Sequence, residues 1–233
     1  MQHTRPEGEI LLFNKPLGWT SFDLVKKVRN TLRIKKVGHA GTLDPLATGL
    51  MILCTEKQTK QIEALTGKDK VYTGTLRLGQ TTPSYDLETE LTEAVDVSHI
   101  GLKDIEEAVK AFMGEISQRP PAHSAVKVDG KRVYKSARAG VEVEIPLRQV
   151  HVYAFDITGY ESPEVHFRIH CSKGTYIRSL VNDLGRALGV GAVLTALCRT
   201  AIGDLKLEDA WELDNFVAER KAQKEADASN TGH

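Results

Sequence analysis

Gly38-His39-Ala40-Gly41-Thr42-Leu43-Asp44-Pro45-Leu46-Ala47-Thr48-Gly49 sets three glycines, one histidine and one carboxylate between a basic segment and an apolar run. Glycine lets a backbone turn sharply or approach another group closely. Pro45 pushes Asp44 out of the α region, so the carboxylate sits at a kink. A single fixed acid in a bent, glycine-lined segment suits a nucleophile or a general base. The same residues also fit a helix start, with Asp44 as N-cap and Pro45 in the first helical position. Taken by itself, the segment favours the helix start.

Outward from this stretch the periodicity changes repeatedly. Glu9 to Phe13 reads as a strand, stopped by Asn14-Lys15-Pro16-Leu17-Gly18. Thr20 or Ser21 caps the next helix, with Asp23 near its positive end. Phe22, Val25, Val28 and Leu32 recur at helical spacing. Leu50 to Leu53 is a short buried strand, and residues 71–78 alternate as a strand ending at Gly79. Residues 80–98 form a polar, acidic connection. Leu102, Ile105, Val109 and Phe112 mark a second helix, stopped by Gly114. The prolines of Gln118-Arg119-Pro120-Pro121-Ala122-His123-Ser124 make an extended loop, and Asp129-Gly130 is a turn. Val150 to Ile157 is a strand.

Glu164 to Cys171 alternates Val165, Phe167, Ile169 and Cys171 with Glu164, His166, Arg168 and His170, the pattern of a half-buried strand. Its two histidines could hold a metal, but no third ligand is evident and a solvated face is the better reading. A helix follows Gly174 through Leu188. Leu194 to Ile202 is apolar-rich, and the last helix runs from Glu208 to about Glu219. Residues 220–233 lack an apolar pattern and are expected to fray. Strands and helices mix without regular βαβ alternation, so the fold class is α+β.

The 233 residues can bury a substantial core. No run approaches the roughly 20 apolar residues of a membrane span. The polar stretch Met1 to Glu9 lacks the apolar core of a signal peptide, so the expected location is cytoplasmic. Cys54, Cys171 and Cys198 form no C-x-x-C and fall in apolar-rich runs; buried small hydrophobes are the default. Thirty-one basic and 31 acidic residues cancel, but they segregate. Lys26, Lys27, Arg29, Arg33, Lys35 and Lys36 crowd one stretch; Arg119, Lys127, Lys131, Arg132, Lys135 and Arg138 crowd another. Either cluster alone is the wet side of an ordinary element. Two of them flanking a candidate site tilt the balance toward a polyanion.

Phosphate-binding P-loop, nucleophile-elbow, dinucleotide and HExxH motifs are absent. The remaining motifs form an ordered set. The Gly38–Gly49 stretch resembles the catalytic motif of the TruB family of tRNA pseudouridine synthases. Asn14-Lys15-Pro16-Leu17-Gly18-Trp19-Thr20-Ser21 resembles its lysine-proline motif. Lys70-Val71-Tyr72 with Leu76-Arg77-Leu78-Gly79 is similar to its tyrosine motif, and Cys171-Ser172-Lys173-Gly174-Thr175-Tyr176-Ile177-Arg178 to its arginine motif. Leu197-Cys198-Arg199-Thr200 fits its leucine-arginine motif.

The resemblance implies a pseudouridine-synthase-like fold: a mixed, mainly antiparallel sheet flanked by helices and loops, with an inserted RNA-clamping segment. It implies isomerisation of uridine at conventional position 55, in the TΨC loop of tRNA, with no cofactor and no metal. Asp44 matches the catalytic aspartate; its chemical route stays open. Arg178 matches an arginine partner, and a neighbouring guanidinium keeps a buried carboxyl ionised. Tyr72 matches the tyrosine that packs on the uracil, although a lone strand tyrosine is more readily a core residue; Leu197 matches an apolar wall of the pocket, although core packing explains a leucine equally well. His39 matches the histidine that fills the space of the flipped base; a loop histidine is the plain alternative. Lys15, Pro16 and Gly41 support the site.

The implied catalytic domain covers residues 1–216. Within it, residues 119–148 form a mobile RNA clamp in which Lys127, Lys131, Arg132 and Arg138 contact phosphate. Residues 217–233 form a charged tail, too short for the additional PUA-type RNA-binding domain of many relatives. Ala40 stands where many relatives have threonine. The expected partner is tRNA, with no membrane association, and the chain is expected to be a monomer. Two other readings compete: a non-catalytic RNA-binding module on the same scaffold, and a carboxylate-pair glycoside hydrolase drawing a second acid from residues 86–107.

Overall fold

The computed structural model describes residues 7–122, 127–128, 131–132 and 145–230. It divides into two units, Met1–Lys68 with Cys198–His233, and Asp69–Leu197.

In the first unit the apolar run Ala47–Thr55 forms strand β3, and its lack of alternation has a structural cause. Met51 and Leu53 pack with Leu11, Phe13, Leu24, Val25, Val28, Leu213 and Phe216. Leu50, Ile52 and Cys54 pack with Ala40, Leu65 and Ile202. Both faces of the strand are therefore buried, which calls for apolar residues at successive positions. Strand β1 (Ile10–Lys15) pairs antiparallel with β3, from Ile10 opposite Cys54 to Lys15 opposite Gly49. Strand β2 (Val37–Ala40) pairs with the far end of β3, Ala40 opposite Ile52.

Helix α1 (Ser21–Leu32) is capped by Thr20, whose hydroxyl accepts from the Asp23 amide while the Asp23 carboxylate accepts from the Thr20 amide. Its buried face carries Leu24, Val25 and Val28; Lys26 and Lys27 are exposed. A short 3₁₀ segment, Glu56–Gln61, leads into α2 (Ile62–Gly67).

The helix start considered at Asp44 does not form. Residues 41–46 only turn the chain from β2 back onto β3, and antiparallel pairing of those two strands leaves no room for a helix. Gly41, at φ +90°, makes the turn, and the Ala47 amide donates to the Asp44 carbonyl at 3.0 Å.

The expected tail also differs. Helix α5 runs over Leu213–Asn230. Phe216 is fully buried and packs edge-on against Phe13 with centroids 4.9 Å apart. Arg220 lies over the Phe216 ring and pairs with Glu9 at 3.4 Å, while Lys224 Nζ donates to the Thr31 carbonyl. Contacts with distant residues hold a helix that has little apolar pattern of its own.

The second unit contains β4 (Lys70–Leu78), β5 (Gly114–Gln118), β8 (Arg148–Glu161), β9 (Glu164–Cys171) and the start of β10 (Ala192–Ile202). Their order is β10-β4-β9-β8-β5, with β4–β9, β9–β8 and β8–β5 antiparallel. Strand β10 continues into residues of the first unit, where a short β11 (Leu205–Lys206) pairs back on it. Helix α3 (Leu102–Val109) packs near β8 and near helix α4 (Ile177–Ala187). Val165, Phe167, Ile169 and Cys171 are buried as the alternation of β9 requires. On the other face, Arg168 pairs with Asp156, Glu164 with Arg77, His170 with Asp69, and His166 with the Thr75 hydroxyl. Both histidines thus have protein partners. Among the described residues no group of His, Cys, Asp and Glu is placed to hold a metal ion, and no helix is long and apolar enough to cross a membrane.

A small ladder joins β6 (Lys127–Val128) to β7 (Lys131–Arg132), Lys127 opposite Arg132. Arg138, Lys135 and the Asp129-Gly130 turn lie outside the described residues.

Replacing Phe216 by Ala should remove about 3–5 kcal/mol of stability. Denaturant titration measures the loss, and helical ellipticity should fall in the same transition as α5 detaches.

Candidate active site

Asp44 sits half-buried on the turn between β2 and β3. That turn is tied down from three directions. Ser21, at the start of α1, gives its hydroxyl to the Leu43 carbonyl at 3.1 Å and takes the Leu43 amide at 3.0 Å. The Gly18 amide donates to the Pro45 carbonyl at 2.8 Å. The ammonium of Lys15 is fully buried and donates to the carbonyls of Trp19 (2.6 Å), Pro16 (2.9 Å) and Pro45 (3.4 Å).

A fourth support is Arg199 on β10, only 1% exposed. Its Nε donates to the Leu50 carbonyl at 2.8 Å, Nη2 to Gly41 at 3.3 Å and Nη1 to Thr42 at 3.4 Å. One planar fork thus links the turn to the strand that follows it. Gly49, at φ +104°, lets this strand approach: a Cβ there would lie 2.4 Å from the Arg199 carbonyl.

The electrostatics follow from burial. Loss of solvation drops the pKa of Lys15 to about 8, an effect that Arg199 deepens and that Asp44 and Asp23 partly offset. His39 on β2 is pulled below its ordinary value by burial, which the Gly41 backbone partly offsets and Arg199 deepens, so its ring is held toward the neutral form. Its Nδ1 is buried with no hydrogen bond of ordinary geometry among the described residues. The first unit therefore gathers His39, Gly41, Asp44, Lys15 and Pro16 around one braced turn.

The second unit carries Tyr72, Leu197 and Arg178. Tyr72 lies on β4, buried, opposite Ile169 of β9. Leu197 is half-buried on β10. Arg178 is the second residue of α4 and only 3% exposed. A cation in a first helical turn opposes the helix dipole and calls for an anion. Within this unit Asp86 supplies one: Nη1 of Arg178 lies 3.5 Å from its Oδ2, with both side chains buried. The same Nη1 donates to the Ser84 carbonyl at 3.1 Å.

Residues 82–89 hold Asp86 in place. Its backbone carbonyl accepts from the hydroxyls of Thr82 and Ser84, its Oδ1 accepts from the Glu88 amide, and the Ser84 amide donates to the Thr89 hydroxyl. Asp86 bridges to Leu194 of β10. Gln118 clasps the entry to α4, accepting from the Tyr176 amide at 2.7 Å and donating to its carbonyl at 3.0 Å.

Asp86 and the bracing role of Arg199 are not singled out by the sequence reading. Asp86 is one acid in a run of eight. The signal for Arg199 was present: an arginine within an apolar strand is a buried cation needing partners. Cys54 and Cys171 are buried as expected, whereas Cys198 is only partly so; burial pushes Cys171 up to about 12 and raises Cys54.

Between pH 8 and the ordinary lysine value of 10.5, the unfolded chain binds more protons at Lys15 than the folded one. Lys15 therefore makes stability rise with pH across this window. Denaturant titrations of Lys15→Met should lack that component, so the wild type should gain on the variant from pH 8 to 10.5. Replacing Asp86 by Ala removes a buried carboxylate facing Arg178 and should cost about 3–5 kcal/mol of stability, read as a drop in the unfolding midpoint.

The chain is similar to known proteins along most of its length. The model of the TruB family pseudouridylate synthase N-terminal domain matches residues 29–177. That of the tRNA pseudouridylate synthase B C-terminal domain matches residues 178–230. The tRNA pseudouridine synthase B of Flavobacterium johnsoniae is 51% identical over 217 residues, covering 90% of this chain and 95% of that relative. The protein of the same name from Chloroherpeton thalassium is 47% identical over 230 residues, covering 97% and 95%. Among solved structures, a Cbf5-Nop10-Gar1 complex contains a chain superposing with a TM-score of 0.72 at 33% identity; 91% of this chain matches 54% of that one, about half its length. With both family models fitting end to end and half of all residues shared along nearly the full length of its relatives, the chain belongs to the TruB family of pseudouridine synthases.

Proposed function

We propose that this TruB-family enzyme isomerises uridine to pseudouridine in tRNA at conventional position 55, in the TΨC loop, with Asp44 as the catalytic carboxylate. The reaction breaks the N1–C1′ bond of the uridine and joins C5 to C1′; the C5 proton leaves and N1 gains one. No electrons are transferred overall, so the chemistry calls for no redox cofactor.

The observation that carries this reading is the bracing of Asp44. Its turn is fixed by the Ser21 hydroxyl, the Gly18 amide, the Lys15 ammonium and the Arg199 guanidinium, all engaging backbone. A reacting carboxylate gains most when its backbone cannot drift from productive geometry. Lys15, Pro16 and Gly41 support this turn. Tyr72, Arg178, Leu197 and His39 bind the extruded uridine: Tyr72 and Leu197 by apolar contact, His39 by occupying the position the base leaves, and Arg178 through its charge. Neutral His39 suits stacking, since a neutral ring loses less hydration on contact with bases. Lys127, Lys131, Arg132 and Arg138 grip the phosphate backbone, and residues 119–148 are the RNA clamp. The catalytic domain covers residues 1–216, followed by the charged segment 217–233. The enzyme acts as a monomer, in the cytoplasm where its tRNA substrate is.

Asp44→Asn should abolish pseudouridine formation while leaving tRNA affinity within a few-fold of the wild type. Mass-spectrometric mapping of an unmodified tRNA transcript reads the product and its position; filter binding reads affinity. Normal turnover by this variant, or product at another position, would overturn the assignment.

A further inference from the structure

A pocket of about 400 Å³ opens on the outer side of the lysine-proline segment, lined by Gly18, Trp19, Asp23, Lys26, Lys27 and Asn30. We propose that it is a second RNA subsite, receiving a nucleotide of the substrate tRNA other than the reacting uridine, with its base or ribose on Trp19 and its phosphate between Lys26 and Lys27. The proposal rests on tRNA being the substrate.

The helix geometry supplies the basic side. Asp23, Lys26, Lys27 and Asn30 lie three and four residues apart on α1, so they share one face. Both lysines are exposed, with the buried face left to Leu24, Val25 and Val28. The acid on this face is already committed, because Asp23 accepts from both the amide and the hydroxyl of Thr20 as the α1 cap. The Asp23 carboxylate stays ionised there, but the two ammonium groups outnumber it, so the rim is left net positive and an anion is its complementary occupant.

Trp19 supplies the apolar side. It packs partly against the core of the first unit, which fixes its ring while part of it stays in the pocket. Base stacking on such a platform contributes roughly 1–3 kcal/mol and tolerates any base. Leu17 and Phe22, on either side of Trp19 in the chain, are 64% and 63% exposed. Aromatic and apolar groups interleaved with lysines are the surface chemistry of single-stranded nucleic acid binding.

The pocket is also wired to the catalytic turn. Its rim residue Gly18 donates to the Pro45 carbonyl, beside Asp44, and the Lys15 ammonium bridges the carbonyls of Trp19 and Pro45. A nucleotide held here would lie beside the backbone that carries Asp44 and add to the affinity for the substrate without taking part in the reaction.

The test uses the full-length enzyme and an unmodified tRNA transcript. The pair Lys26→Ala with Lys27→Ala keeps exposed helix positions in a strong helix former. It should raise KM about tenfold at low salt, leave kcat within twofold, and lower the slope of log affinity against log salt by about 0.8, the value for one lost phosphate contact. Trp19→Leu should raise KM with no change in that slope. Trp211→Phe leaves Trp19 as the sole tryptophan of the original two, and its emission should change saturably as tRNA is added. An unchanged KM and salt slope in the lysine pair, or Trp19 emission indifferent to saturating tRNA, overturns the proposal. Loss of kcat in the lysine pair with KM intact would also overturn it, since a binding subsite predicts the reverse. Failure of the tRNA reading is separable, because the wild type would then form no pseudouridine in the transcript.

Discussion

The turn that carries Asp44 has backbone carbonyls that no strand can satisfy. It is too short for a helix and leaves the β2–β3 ladder at Ala40. Buried or half-buried carbonyls still need donors. The chain answers with two buried cations brought from elsewhere in sequence, Lys15 from the end of β1 and Arg199 from β10. Lys15 offers three donors to three carbonyls, and Arg199 spreads its fork over Gly41, Thr42 and Leu50. A neutral side chain of similar length could not serve as many acceptors with so little flexibility.

The arrangement has an electrostatic consequence. Two cations fixed on the backbone of one turn set a positive background there. Burial opposes that charge, which is why Lys15 sits near the edge of ionisation while Asp44 helps to hold its proton. His39 is kept toward neutral chiefly by burial, with the Arg199 charge adding to the effect. The second unit uses the complementary device. Arg178, placed where the α4 dipole disfavours it, is met by Asp86, and Asp86 is held by a small network of Thr82, Ser84, Glu88 and Thr89. In both units the ionic groups are rigid because backbone and hydroxyl contacts, rather than other flexible charges, define their positions.

Much of this was legible beforehand. The alternation of Glu164 to Cys171 gave β9 its faces, because a period of two survives wherever one face is wet. Thr20 and Asp23 announced the α1 cap through a local hydrogen-bond pattern. The helix at Asp44 misled because a local N-cap preference of about 1 kcal/mol is outweighed by strand pairing it cannot see. The residues after Arg220 misled in the opposite sense, since the contacts of Arg220 with Glu9 and of Lys224 with Thr31 span most of the chain. Asp86 was hidden among acids of identical chemistry.

The sequence by itself determined the α+β class, the capped first helix, the two-faced strand β9 and, through five ordered motifs, the family, because each of these is written in local spacing and residue type. Only the tertiary structure decided that Asp86 meets Arg178, which cations brace the Asp44 turn, that a short turn replaces a helix start, and that the charged C-terminal segment is a helix. The reason is physical: burial and long-range hydrogen bonding fix those features, and both depend on residues far apart in the chain becoming neighbours.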